Sequence, residues 1–474
     1  MFLVNRLLWP LFTITLIILI LFSLPHVQSA PSPKGTDPYR ISSICYFAEG
    51  STAWGFETSF VVTNPYDEER EIEIECITSS GESFRRKETI QKGPNEITLP
   101  QGLGEADFST IIRSLDGKNI VADRWMGLEP VYKVGGDIIY DCHGSTSISS
   151  PSKTWYFAEG STSWGFSSWL LVLNPTESNA NIDITFFTDE GNRISIKETI
   201  PQRTRGTFNL GKYVKDEDFS FMLSSDTPVV AERSMYRQTG SATNSFGLHE
   251  PSRYLYLAEG STAWGFKTFL LLGNPNEEQA QVSLSFHTSQ GPARGLSFDI
   301  PPFSRKTICL NDHINGFDFS TAISSSVPIV AERAMYKVPE DSVPGIEEFG
   351  TLSSAVTSPH SSLCFASAFD TLNNDNSWLL VDNPNDKNVE ISVTYITNGG
   401  RETYTRKFTD KIPAFTRRSY KIQVEGLGSV YIESNSPGLG IIAEKTWYKF
   451  DGLIELSNPL EMNNGATYSS SWEK

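Results

Sequence analysis

Three charged residues recur at matching places along the chain: Glu49, Asp107 and Arg124, then Glu159, Asp218 and Arg233, then Glu259, Asp318 and Arg333. Two neighbouring carboxylates can do acid–base or glycoside chemistry when their separation and pKa values suit it. A guanidinium between them holds both ionised, which works against the acid role. In a fourth stretch Ser367, Leu427 and Lys445 occupy these places, so the members change together. They are therefore expected to meet in space, the Arg fork donating to one or both carboxylates. The expected role is a partly buried structural ion cluster that fixes how the Glu-Gly-Ser-Thr loop leaves its strand. The functional alternative is a small polar or cation site at the edge of the fold.

The second candidate is aromatic. "YFAEGSTAWGF" starts at Tyr46, "YFAEGSTSWGF" at Tyr156 and "YLAEGSTAWGF" at Tyr256. Trp54, Trp164 and Trp264 each precede a Gly in a polar loop, where an indole is costly to expose without a partner. Such a ring can stack on a sugar face while the loop, with Glu49, Glu159 and Glu259, supplies hydrogen bonds. The favoured expectation is the opposite: Trp and Phe fold back and cap the open end of the domain. The fourth stretch has "FDTLNNDNS" instead of the WGF phrase but keeps Trp378 where Trp169 stands. This reads Trp169 as core and the WGF loop as the optional part.

Other chemistry is sparse. There is no HExxH, GxSxG, phosphate loop or GxGxxG, and His143, His249, His287, His313 and His360 are scattered. A lone SxxK, Ser150 to Lys153, spans Pro151, where the helix that such chemistry needs is disfavoured. "NNDNSW" lacks the spacing of known calcium loops, and no Cys/His pairing suggests zinc. No catalytic residue, metal site or cofactor is expected. Of the five Cys, Cys45 and Cys142 flank the first repeat, and a disulfide between them would staple its ends. Cys76 stands where Phe186, Phe286 and Tyr395 stand elsewhere, which reads as core.

The chain opens with Arg6, an apolar run "LLWPLFTITLIILILFSLP" and small residues at Ser29 and Ala30. That order reads as a signal peptide over residues 1–29, with an uncleaved N-terminal anchor as the alternative. Secretion or cell-surface display is expected, with membrane contact only through that segment if it is retained. The 39 Lys and Arg against 56 Asp and Glu give a net charge of -17. Such a surface repels phosphate backbones, so nucleic acid is excluded as a partner.

These residues need a framework, and the framework is periodic. Asn-Pro turns at Asn64, Asn174, Asn274 and Asn383 are 110, 100 and 109 residues apart. "VADR", "VAERSMY", "VAERAMY" and "IAEKTWY" keep the same register. Within a period, "TWYFAEG", "SWLLVLNP", "NIDITFFT", "RISIKETIP", "GTFNL", "DFSFMLSS" and "PVVAERSMY" read as short strands bounded by Pro, Gly, Asp or Ser. The expected class is all-β: four tandem antiparallel β-sandwich repeats, immunoglobulin-like or jelly-roll-like, of about 100 residues each. An eight-bladed propeller is the weighed alternative. The expected layout is a lead over 30–40, repeats over 41–142, 153–250, 252–338 and 362–460, a linker over 339–361 and a tail over 461–474. The Gly-, Ser- and Pro-rich stretches between repeats read as linkers or long loops.

The phrase "WYFAEGSTSWGFSSWLLVLNPTESNANIDITFFTDEG", with "IPQRTRGTFNL" and "PVVAERSMY", resembles a tandem domain of exported bacterial proteins of unknown function. The order of Asn-Pro turn, Gly hairpin, "IPxxxR" and "PVV" is also similar to the sensory-rhodopsin transducer family, which implies a β-sandwich that assembles as a tetramer. Neither resemblance supplies a catalytic residue. The expected function is a non-catalytic structural or adhesive display module, with glycans or cell-surface proteins as partners. The alternatives are a carbohydrate-binding protein using the WGF loops and a hydrolase with a site between repeats.

Overall fold

The computed structural model describes residues 41–128, 133–134, 137–138, 141–189, 191–237, 241–337, 349–368, 376–398, 403–422, 424, 426–450 and 459–462. The signal-peptide and lead readings lie outside these residues, as do "NNDNS" up to Asp375 and most of the tail. The chain is all-β, built of antiparallel sheets with two short 3-10 turns among the described residues. No helix among those residues is long and apolar enough to cross a membrane.

The strands fall into consecutive sets with one topology. In the first set, Ile44–Phe47, Phe108–Ser114, Arg70–Thr78 and Ser83–Ile90 form one sheet, while Asp141–Thr146, Val121–Leu128, Phe56–Asn64 and Gly93–Ile97 form the other. The same order recurs in the second set (Ser152–Phe246), the third (Ser252–Ser354) and the fourth (Ser362–Met462). The two sheets face each other across one core: Phe47 of one sheet meets Phe60 of the other at 5.2 Å between ring centroids. Propeller blades would be sequential meanders, and this interleaved order is that of a sandwich.

In the second and third sets, the two strands expected around "PVV" are one, Phe219–Arg237 and Phe319–Lys337. Each passes from one sheet to the other near Pro228 or Pro328: Phe219 to Ser225 pair with Ala180–Thr188, and Val230 to Arg237 with Phe166–Asn174. Proline cannot donate to a ladder, so the break between partners falls there. The stretches expected as linkers are also corrected. Asp141–Thr146, Ser241–Phe246 and Phe349–Ser354 are strands, each paired with the end of the preceding long strand.

Each Asn-Pro turn is fixed by its Asn. Fully buried Asn174 donates to the carbonyls of Ser178, Ile200 and Pro201 and accepts from the Thr176 amide. Asn274 and Asn383 make the equivalent bonds. Cys76 is a buried core residue, as expected, whereas Trp169 is only half-buried and donates to Ser167.

The proposed Cys45–Cys142 staple is not formed: Cys45 is a free, buried thiol. Its strand bonds at Tyr46 to Ile148, while Cys142 lies opposite Gly127 at the other end of Asp141–Thr146. At about 3.3 Å per extended residue, the offset far exceeds the roughly 4.4–6.8 Å between Cα atoms that a disulfide spans.

Candidate functional site

The repeated eleven-residue phrase divides into a buried half and an exposed half. In the buried half, the glycine of Glu-Gly-Ser-Thr lies under a core Phe. A Cβ on Gly50 would stand 2.7 Å from the Phe108 ring and one on Gly260 2.6 Å from Phe319, and Gly160 is similarly crowded by Phe219. Only Gly lets the strand end lie this close to the core.

Glu and Arg of the expected cluster do meet within each set, and each Arg also takes a carboxylate from the neighbouring set, across a seam between the two. Arg124 donates to Glu232 at 2.8 Å and to the Glu49 carbonyl at 2.8 Å, while the Glu49 carboxylate lies 3.7 Å away. Glu232 in turn accepts from the Ala48 amide at 2.7 Å. At the second seam Arg233 pairs with Glu332 at 2.7 Å, and the Glu159 amide donates to Glu332 at 2.7 Å. At the third, Arg333 pairs with Glu444 at 2.7 Å and Glu259 at 3.1 Å, and the Ala258 amide donates to Glu444 at 3.0 Å. The fourth seam returns to the start. Lys445 pairs with Asp123 at 3.2 Å, and Asp123 accepts from the Ser367 amide at 2.9 Å. Each cation thus bonds the acid that precedes the next set's cation, and the sequence of seams closes into a ring.

The Asp members are placed elsewhere, which corrects the expectation that Asp107, Asp218 and Asp318 join that cluster. Asp218 lies 3.9 Å from Arg305 and accepts the Trp164 indole N–H at 3.3 Å. Asp318 accepts that of Trp264 at 3.5 Å. Asp107 bridges Ser51 and lies in the field of Arg205.

A second cation was missed from sequence. Arg205 reaches into the preceding set and donates to the Gly50 carbonyl at 2.7 Å, and Arg417 to the Ala258 carbonyl at 3.0 Å. Arg305 stands at the same ladder position, but in the first set that position is Pro94. Pro94 faces the fourth set, the one that has Ser367 in place of the Glu. The coupled loss of both partners was the available signal.

The seams are buried, and their electrostatics follow. Burial pushes Glu49 up, but His143 where it is protonated, Arg124 and the Ser234 hydroxyl more than offset it, so the carboxyl falls below its usual range. Burial holds His143 down to about 4, hence neutral near pH 7. Glu159 differs: burial lifts it to about 7, against the pull of Arg233 and Arg305. Lys445 is pushed down by burial, opposed by Asp123. The carboxylates of Glu232, Glu332, Glu444 and Asp123 accept from main-chain amides and are closed from solvent, which suits joining sets. Lys153 of the SxxK lies exposed on strand Ser152–Phe157, so no catalytic helix forms there.

The exposed half overturns the capping expectation. Trp54, Trp164 and Trp264 are 77%, 74% and 72% exposed. Each is the second residue of a tight turn, closed by Phe56 N to Ala53 O at 3.0 Å, Phe166 N to Ser163 O at 2.9 Å and Phe266 N to Ala263 O at 3.0 Å. Trp and Gly both have positive φ, 61° and 84° in the first turn, 57° and 79° in the second, 57° and 84° in the third. Two left-handed residues in succession favour Asn-Gly, and a bulky Trp there costs of order 1 kcal/mol or more. The neighbouring Phe does pack: Phe56 lies 5.8 Å from Tyr236, and Phe166 6.3 Å from Tyr336, across the seams. Among the described residues no group of three or more His, Cys, Asp or Glu is placed to hold a metal.

The chain matches no family model, and no curated protein matches it. Among solved structures it is similar in part to Thermotoga maritima 1070, with 16% identity and TM-score 0.20 over 22% of this chain and 94% of that one. The Anabaena sensory rhodopsin transducer follows, with 21% identity and TM-score 0.17 over 18% of this chain and 95% of that one. The tetra-tandem repeat in the extending region of a large adhesion protein gives 12% identity and TM-score 0.10 over 89% and 97%. These are weak, fold-level likenesses, and nothing about function follows from them.

Proposed function

We propose that the protein is an exported, non-catalytic display module, a ring of sandwiches that presents three Trp-Gly turns for adhesion to carbohydrate. The observation that carries this reading is the triple placement of an exposed Trp at a left-handed turn position that disfavours it. Backbone strain kept at an exposed position points to use of the side chain presented there. An indole face stacks on the apolar face of a pyranose, and three weak contacts on one rigid frame gain avidity. The apolar N-terminal segment supports export, and the closed seams support a structural rather than catalytic role for the buried carboxylates.

The test is binding of residues 31–474 to a glycan array and to cell-wall polysaccharides, beside a Trp54→Ala, Trp164→Ala, Trp264→Ala variant. Binding by the parent that disappears in a variant with an unchanged melting curve supports the reading. A folded parent that binds no glycan refutes it.

A further inference from the structure

The three turns share a phrase but not their surroundings. Beside Trp164 lies a cleft of about 450 Å³ lined by Thr162, Trp164, Phe166, Asp216, Tyr236 and Arg237, within the rough 300–1,000 Å³ range of small-molecule sites. Its parts are held in place. The Trp164 indole N–H is tied to Asp218 at 3.3 Å, and Arg237 Nε donates to the Trp164 carbonyl at 3.2 Å. The Arg237 guanidinium lies over the Phe166 ring at 5.0 Å, and the Tyr236 hydroxyl is anchored to Glu49 at 3.1 Å. Asp216 is exposed and itself left-handed, with φ 53°.

Ladder register identifies the counterparts. Arg237 stands opposite Phe166, Lys337 opposite Phe266, and Leu128 opposite Phe56. Two residues before the repeated Asp stand Asp216, Gly316 and Glu105. The second turn alone combines a guanidinium with a carboxylate beside its Trp.

We propose that the Trp164 cleft is the specificity site of the molecule and takes a neutral hexopyranose ring, Trp54 and Trp264 adding avidity. This rests on the carbohydrate reading above. The indole stacks on the sugar's apolar face, Asp216 accepts from ligand hydroxyls, and Arg237 donates to a hydroxyl or the ring oxygen. The two side-chain charges of the cleft cancel, and the net charge of -17 repels polyanions, so an uncharged sugar fits better than a uronate.

The experiment compares neutral hexose polymers with uronate polymers at moderate salt. It uses the parent, Asp216→Gly, Arg237→Leu, and a Trp54→Asn, Trp264→Asn double variant, with melting curves for each. The expected result is preference for neutral polymers, at least a tenfold loss in each of Asp216→Gly and Arg237→Leu, and a double variant that retains short oligosaccharides but loses polymer avidity. Parent-like binding by Asp216→Gly and Arg237→Leu, or a preference for uronates, overturns this inference while leaving the carbohydrate reading intact. No binding by the parent to any polymer overturns both.

Discussion

Glu49 and Glu159 occupy the same place in the same phrase, yet the seams around them differ. The Glu49 carboxylate accepts from Ser234, from Asn244 at 2.7 Å and from Tyr236 at 3.1 Å, all supplied by the second set. In the third set the places of Ser234 and Asn244 are Ala334 and Leu352. One Glu159 oxygen is left buried without a hydrogen-bond partner. Identical residues therefore acquire opposite titration behaviour from what the neighbouring set presents. A buried carboxylate is stable as an anion only where donors replace the lost water.

Breaking a seam outright should have the largest effect. Arg124→Ala leaves Glu232 buried and unpaired, and a loss of about 3–5 kcal/mol is expected in denaturant unfolding. The difference between the two Glu residues should appear next, in pH dependence. A carboxyl raised in the folded state keeps a proton that the unfolded chain releases. Stability is then lost as pH rises from about 4.5 toward about 7, by up to about 3 kcal/mol. Glu159→Gln should remove that slope. The acid-side loss should remain as pH falls from about 6.5 toward about 4, because burial depresses His143 and His249 and protonation favours the unfolded chain. A Glu159→Gln variant that keeps the parent's full alkaline-side slope would contradict the assignment, since Glu232 and Asp189, also raised by burial, supply only the remainder.

A smaller effect tests the cause. Ala334→Ser with Leu352→Asn should restore donors to Glu159 and move the midpoint of its alkaline-side loss toward lower pH; an unmoved midpoint would mean that donors do not set it. The smallest effect is expected at the exposed turns. Trp54→Asn, Trp164→Asn and Trp264→Asn replace a strained residue with one that tolerates the left-handed region, so each should leave stability unchanged or raise it by up to about 1 kcal/mol.

The sandwich was legible because its strands carry local signals. "RISIKETI" alternates outward and inward along Arg193–Ile200, and each Asn-Pro turn ends an apolar strand. Ring closure was not legible by the same means, because its contacts lie between sets. The joint change of Glu and Arg in the fourth set signalled contact between those two but not with the neighbouring set, and the Asp that changes with them lies elsewhere. Comparing adjacent sets would have shown the contact with the neighbour: Glu-Arg becomes Asp123 on one side of the last seam and Lys445 on the other, and the set with Ser367 in place of Glu adjoins the set with Pro94 in place of Arg. The exposure of the Trp residues could not be read from hydrophobicity, which argues for burial. It depends on a turn geometry in which the flanking Phe packs and the Trp points away.

The most direct test of the division of the phrase into a buried seam and an exposed contact is one comparison on the full chain. The Trp54→Asn, Trp164→Asn, Trp264→Asn variant and the parent would be run in affinity electrophoresis through polysaccharide gels, with their melting temperatures measured alongside. The account predicts an equal or higher melting temperature and loss of retardation in the variant. A melting temperature lowered by several degrees, or retardation equal to that of the parent, would contradict it.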